Sequence, residues 1–227
     1  MTQPLHTASA NLARVTTPAP NDPLEPLRRP QWQTEFRRKL VHLCFIVLPL
    51  ELLWEVLPWP RGRSEFRLLF ILLTVGAIAV DLFRLHDDRV KQFFKSFFGE
   101  MIREHEEFGL LGSTYLLLAA LLAIEILPQP VAAAALGFTV LGDAFGALVG
   151  RAYGRHKFFR KSLEGALGCL IVCLLWGVYL VTVHHMPWNV VLVGALTATI
   201  VEMLPIPLDD NLGITLAAGY AMKLMLI

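Results

Sequence analysis

The chain has 227 residues, 55% of them hydrophobic and 17% charged, and a formal net charge of +1. A mean hydropathy of +0.55 points to a membrane protein, and the near-neutral charge gives no basis for a nucleic-acid partner. Three cysteines without a CxxC spacing argue against a thiolate metal site; Cys44, Cys169 and Cys173 read as free thiols packed within apolar segments.

Residues 1–30 are rich in Pro, Thr and Asn and have no apolar core, so they read as a flexible cytoplasmic tail rather than a signal peptide or a span. The rest, 31–227, reads as one transmembrane catalytic domain. Its apolar blocks approach the ~20 residues that cross ~30 Å of hydrocarbon. They predict an all-α, polytopic fold of about seven transmembrane helices, at roughly 40–57, 66–85, 110–127, 130–150, 163–183, 188–204 and 211–227. The third and fourth spans, joined through Pro128-Gln129-Pro130, are expected to form a hairpin of two short helices.

Cations set the orientation, because short cytoplasmic loops retain Lys and Arg. Arg14, Arg28, Arg29, Arg37, Arg38 and Lys39 precede the first span; Arg84, Arg89, Lys91, Lys95 and Arg103 lie in or beside the second loop; Arg151, Arg155, Lys157, Arg160 and Lys161 lie in the fourth. The opposite side has Arg61, Arg63 and Arg67 near the first loop, and Lys223 sits within the last span. The amino terminus is therefore expected inside, in a multi-pass protein of a bacterial inner membrane.

Between the second and third spans, Val90, Phe93, Phe94, Phe97, Phe98 and Met101 recur at helical spacing among Lys91, Lys95, Arg103 and Glu104. This pattern suits a helix in the plane of the interface, either a simple anchor or a cover for a lipid substrate.

Ionisable residues inside spans need a partner or a purpose, since each costs roughly 2.5–3.5 kcal/mol on insertion scales. Asp143 precedes Arg151 by eight residues, about 12 Å at 1.5 Å per residue, and Glu202 precedes Asp210 by the same interval. Two carboxylates at matched depth suit a divalent cation shared with Asp209 or Asp210, or serve as structural glue. Gly142, Gly146, Gly150 and Gly154 form a stripe that packs helices, within one chain or in a homo-oligomer, and that also admits a ligand close to the backbone. Arg151, Arg155, Lys157, Arg160 and Lys161 then supply enough charge for a triphosphate. Ser162 opens the fifth span, where a helix N-terminus favours phosphate, with Glu164 in its first turn. Asp209-Asp210-Asn211 opens the seventh span as an N-cap with one more acid than a cap needs. No GxxxxGK[ST] or GxGxxG is present.

Together these residues resemble the CTP-dependent lipid kinases, a group that includes dolichol kinase, phytol kinase and yeast-type diacylglycerol kinase and shares a superfamily with phosphatidate cytidylyltransferase. The resemblance rests on Glu35-x-x-Arg38-Lys39-x-x-His42, Asp81-x-x-Arg84, Gly142-Asp143 with Gly150 and Gly154, Lys161-Ser162-x-Glu164-Gly165, and Glu202 followed by Asp209-Asp210-Asn211, over about residue 35 to the end. It implies transfer of the γ-phosphoryl group of CTP to a lipid alcohol at a site facing the cytoplasm. Mg²⁺ or another divalent cation would sit among Asp143, Glu164, Glu202, Asp209 and Asp210. The nucleotide would contact Arg38, Gly142, Gly150, Arg151, Gly154, Arg155, Lys157, Lys161, Ser162, Gly165 and Asn211. Asp210 is the first candidate for the general base and His42 the second, with Lys39 beside them. The alternatives are a cytidylyltransferase making CDP-diacylglycerol, and a transporter using Asp143 and Glu202 as an ion path. The cytidylyltransferases typically end on a His-Gly-Gly and Asp-Arg element that this sequence lacks.

Overall fold

The structure, a computed structural model, describes residues 30–99, 101–159 and 161–227. The amino-terminal tail, with Arg14, Arg28 and Arg29, lies outside the described residues, as does Arg160. The fold is mostly helical. Three helices are long and apolar enough to cross a membrane: Gly62–His86 (α3), Gln129–Tyr153 (α6) and Leu163–His184 (α7). Gly112–Ile126 (α5) and Trp188–Met203 (α8) are apolar but shorter, and Asp210–Leu224 (α9) closes the chain.

Residues 40–57 do not form the continuous span that hydropathy predicts. A polar helix, Pro30–Cys44 (α1), precedes a break at Phe45-Ile46, and a separate short helix follows at Val47–Trp54 (α2). Pro49 explains the restart, because a residue without an N–H is tolerated in a first helical turn, where amide hydrogens have no intrahelical partner. The hairpin of two short helices also needs correction. α5 has 15 residues, but α6 has 25 and is the longer arm.

α6 is the axis of the molecule, with α1, α2, α5, α7, α8 and α9 all packed against it. Its sequence permits this: Ala132, Ala133, Ala134 and Ala135 are fully buried, and small side chains allow neighbouring backbones to approach. At Gly137 a Cβ would come within 2.2 Å of the Trp176 ring, so only glycine admits that indole. One apolar cluster fills the space between α6, α7, α8 and α9, and a second joins α2, α3 and α5 to the other side of α6. In contrast, α7 directs Leu167, Ile171, Leu175 and Val178 outward at helical spacing, leaving an apolar face toward the surroundings, as a lipid-exposed helix requires.

Asp88–Phe98 (α4) follows α3 after a sharp turn. Asp87 caps it by accepting from the N–H groups of Arg89 and Val90 at 2.7 and 3.2 Å. Phe93, Phe97 and Phe98 remain exposed on this helix, which buries no residue completely. Between α6 and α7 the chain makes a two-stranded antiparallel hairpin, Lys157–Phe158 (β1) and Lys161–Ser162 (β2), with exposed Phe158 and Phe159 at its tip.

Candidate active site: two joined cavities at one end of the bundle

The polar residues expected to act together are gathered by six elements. α1 contributes Glu35, Arg38, Lys39 and His42; α6 contributes Asp143, Gly146, Gly150 and Arg151; the hairpin and the start of α7 contribute Lys157, Lys161, Ser162 and Gly165; α8 contributes Glu202 near its carboxy end and α9 contributes Asp210 at its start. They surround two cavities with a common wall of Arg38, Lys39, Arg103 and Asp143. The first, about 210 Å³, is polar. Six cations (Arg38, Lys39, Arg103, Arg151, Lys157, Lys161) face four carboxylates (Glu35, Asp143, Glu202, Asp210) there, an excess of positive charge. The second, about 270 Å³, is lined by Val41, Phe45, Phe94, Phe98, Met101, Ile102 and Leu111, with His42, Glu106, Ser113 and Asn211 as its polar points.

The deepest contact in the common wall is Lys39 Nζ to Asp143 Oδ2, at 2.5 Å. Lys39 is only 2% exposed, so neither charge is neutralised by bulk water. Removing one partner of such a pair typically costs about 3–5 kcal/mol, because the other is left buried and alone. His42 Nε2 lies 3.6 Å from the same carboxylate oxygen and is buried without a hydrogen-bond partner among the described residues. A second group centres on Lys161, whose Nζ is 2.9 Å from Glu202 Oε1 and 3.0 Å from Asp210 Oδ2. Burial pulls the Lys161 ammonium down, but Asp210 and Glu202 outweigh it and raise its pKa above the ordinary lysine range. Glu202 Oε2 is buried with no hydrogen-bond partner among the described residues.

Sequence reasoning missed Glu35 as a site residue. It is 4% exposed, accepts from Arg38 at 2.5 Å and pairs with Arg151 at 2.9 Å, tying α1 to the end of α6. Its signal was the i, i+3 spacing to Arg38, masked because cations before a first span read as topology determinants.

Several expected site residues lie elsewhere. Gly142 is outside both linings, and a Cβ there would stand 3.0 Å from the sulfurs of both Cys169 and Cys173. The glycine stripe packs α6 on α7 within one chain; at Gly154 a Cβ would come within 2.1 Å of the Gly150 carbonyl and 2.6 Å of Ser162 Oγ. Arg155 is exposed and lines neither cavity. Glu164 also lies outside them, holding His156 by its ring Nδ1 at 2.7 Å and its N–H at 3.2 Å. Ser162 lines the polar cavity, but its hydroxyl oxygen accepts from the Gly165 N–H at 3.1 Å, and the Leu163 N–H donates to the His156 carbonyl. The first turn of α7 therefore has fewer free amides than a bare helix N-terminus offers. Asp209 caps α9 by accepting from the backbone N–H and side-chain Nδ2 of Asn211, both at 2.9 Å, and burial raises its pKa. Asn211 also donates to the Gly112 carbonyl at 3.2 Å, and its buried Oδ1, on the apolar side, has no partner among the described residues.

The chain is similar to the uncharacterized protein RP860 of Rickettsia prowazekii (strain Madrid E), with 24% identity over 192 residues that cover 81% of this chain and 90% of that protein. No family model and no solved structure matches the chain.

Among the described residues no cluster of three or more His, Cys, Asp or Glu is arranged to hold a metal ion by itself. Glu202 and Asp210 both hold Lys161, and with Glu202 Oε2 unpaired among the described residues they fit the way Mg²⁺ is commonly bound, by one or two carboxylates together with substrate phosphates. Chemically, the arrangement offers a cationic chamber for a polyanion, an apolar chamber for a hydrocarbon and a titratable pair where they meet.

Proposed function

We propose that the protein is a membrane-embedded CTP-dependent lipid kinase that transfers the γ-phosphoryl group of CTP to the hydroxyl of a lipid alcohol such as a polyprenol, phytol or diacylglycerol. One observation carries the reading: a polar, net-cationic cavity and an apolar cavity meet at Lys39 and Asp143, so a phosphate donor and a hydrocarbon-tailed acceptor can approach one another without sharing a chamber. The motifs of the resemblance support it, since Arg38, Lys39, His42, Asp143, Lys161, Ser162, Gly165, Glu202 and Asp210 all line one cavity or the other.

Lys161, Arg151 and Lys157 bind the phosphates, and Gly150 and Gly165 let them approach the backbone. Glu202 and Asp210, with Asp143 across the same cavity, are the groups that would hold Mg²⁺, which when bound neutralises charge on the phosphates. The acceptor's tail lies along Phe94, Phe98, Met101 and Ile102, with its hydroxyl toward His42. The acceptor oxygen forms a bond to the γ-phosphorus as the bond to the CDP oxygen breaks, and the hydroxyl proton passes to His42. We assign the base to His42 rather than Asp210 because His42 lines the acceptor chamber with an Nε2 that has no hydrogen-bond partner among the described residues, whereas Asp210 lines the donor chamber and is bound to Lys161. Asp143 then orients His42 and stabilises its protonated form.

In this reading the chain crosses the membrane seven times, with α1 and α2 together forming the first passage. The site faces the cytoplasm, as the distribution of Lys and Arg supports, and the membrane is the inner membrane of a bacterium.

The test uses purified protein in lipid with Mg²⁺, CTP labelled at the α- or the γ-phosphate, and a mixture of diacylglycerol, polyprenol, phytol and phosphatidate. Lipid labelled only from the γ position is expected. Label from the α position would instead identify a cytidylyltransferase, and the absence of labelled lipid from either would remove the kinase reading.

A further inference from the structure

Three cations stand in the wall common to both cavities, and two of them are taken. Arg38 is bound to Glu35 and Lys39 to Asp143, each at 2.5 Å. The third, Arg103, has no ion pair or hydrogen bond through its guanidinium among the described residues, and its charge acts on the Asp209 carboxyl only through space. Its backbone is hydrogen-bonded, its N–H donating to Glu106 Oε2 at 2.8 Å and its carbonyl accepting from the Glu106 N–H at 2.9 Å.

That backbone is firmly fastened. Glu106 is buried, and its other carboxylate oxygen accepts from the Gly112 N–H at 2.9 Å. Arg84, also buried, donates to the carbonyls of Glu106 at 3.0 Å and Gly109 at 2.6 Å. Asp81 supports Arg84 at 3.1 Å and accepts from the Leu111 N–H at 2.9 Å and the Thr114 hydroxyl at 2.7 Å. The segment between α4 and α5, which includes a 3₁₀ turn at Glu104–Glu107, is thus held by three buried charged side chains, and it carries an arginine with no ion pair among the described residues to the junction of the two cavities. Every other cation at that junction has a carboxylate partner. A guanidinium offers five donors in a planar fork suited to phosphate oxygens.

We propose that Arg103 is a catalytic residue that contacts the phosphoryl group as it passes from the donor cavity to the acceptor cavity. The proposal rests on the reading of the chain as a phosphoryl transferase. In the loose transition state of such a transfer, charge spreads over three equatorial oxygens, and an arginine placed there acts on the reaction more than on ground-state binding. The acceptor proton goes to His42 and the leaving group is the nucleoside diphosphate.

The full-length chain in lipid vesicles, with Mg²⁺ and γ-labelled CTP, provides the test. The wild type is assayed first, and if it transfers no label to any acceptor, both readings fall. With an active wild type, R103A is expected to bind CTP within about 3-fold of normal but to lose about 10³-fold in single-turnover transfer. Normal CTP binding also reports that R103A is folded. R103K should recover part of the loss, and added guanidinium should raise the rate of R103A but not that of the wild type. Three results overturn the proposal while leaving the kinase reading intact: R103A transferring within about 3-fold of wild type, R103A losing CTP affinity as much as rate, or a folded R103A that guanidinium does not rescue.

Discussion

The two ends of the helical bundle use the same residue types for opposite purposes. At the end bearing the first interhelical loop, charged side chains complete the backbone. Arg63 donates to the carbonyls of Leu127 at 2.9 Å and Glu125 at 2.8 Å, and Lys223 donates to the Ile126 carbonyl at 2.8 Å, closing the carboxy end of α5. Glu51 accepts from the Leu57 N–H at 2.8 Å, and Glu55 accepts from the Gly62 N–H at 3.0 Å. Those interactions satisfy groups that helix ends always leave open. At the other end, carboxylates and cations meet one another around open volume, with Glu202 Oε2, His42 Nε2 and Asn211 Oδ1 buried and without a hydrogen-bond partner among the described residues. Polar groups that finish a helix are structural; polar groups still short of partners mark where a ligand belongs.

The largest expected effect separates the ends directly. Asp143→Asn should lower phosphoryl transfer by more than about 10³-fold, since it removes the charge that holds Lys39 and orients His42. Arg63→Gln should leave transfer within about 3-fold while lowering the melting temperature by several degrees, as loss of hydrogen bonds to two carbonyls implies. Label transfer and thermal melting of both variants check this, and a normal rate in Asp143→Asn would break the comparison.

Lys161→Gln comes next, with an expected rise of about 10–10²-fold in the KM for CTP, because one of the three cations assigned to the phosphates is then lost. The Lys161 pKa is raised, so the favourable pairing is fully present below the ordinary lysine value and is lost only as pH rises through the raised one. The KM of the wild type should therefore show no lysine titration between pH 7 and about pH 10. A KM that worsens steadily over that interval would remove Lys161 from the phosphate contact.

A smaller effect distinguishes packing glycines from lining ones. Gly142→Ala should cost about 1–3 kcal/mol through overpacking against Cys169 and Cys173, without altering the affinity of the folded protein for CTP. Denaturation and equilibrium CTP binding read the two quantities separately. A loss of affinity at unchanged stability would return Gly142 to the nucleotide site.

Much of the bundle was legible because a helix that crosses hydrocarbon must be apolar over its length. The expected spans 163–183 and 188–204 fall almost on α7 and α8. α1 was not legible as part of the bundle, since Glu35, Arg38 and Lys39 look like a soluble flank, and their burial depends on α6 supplying Asp143 and Arg151 from more than a hundred residues away. The site was legible where side chains had no other explanation, as with Asp143 and Lys161. It was illegible where one residue type serves two purposes. Gly142 and Gly150 belong to one stripe, but only Gly150 reaches the cavity. Glu164 and Glu202 are both acids near the site, yet Glu164 is occupied by the hairpin's His156. Arg103 read as one of several loop cations because the buried scaffold of Asp81, Arg84 and Glu106 that positions it is a tertiary feature.

Asp209 carries the smallest expected effect and sharpens the contrast between cap and ligand. Burial raises its pKa although Asn211 donates to it twice, so its charged form is disfavoured in the folded protein. A carboxyl group whose folded pKa lies above the unfolded one contributes stability that is fully present below the unfolded value and is lost as pH rises through the folded value. Asp209→Asn keeps an N-cap of equal quality while removing that titration. The variant should therefore melt above the wild type at pH 7, with the difference closing as pH falls through the carboxylate range. Melting curves across that range check the sign, and CTP affinity should stay unchanged because Asp209 lies outside both cavity linings. A destabilised Asp209→Asn with weakened CTP binding would place Asp209, and not only Asp210, among the residues that face the ligand.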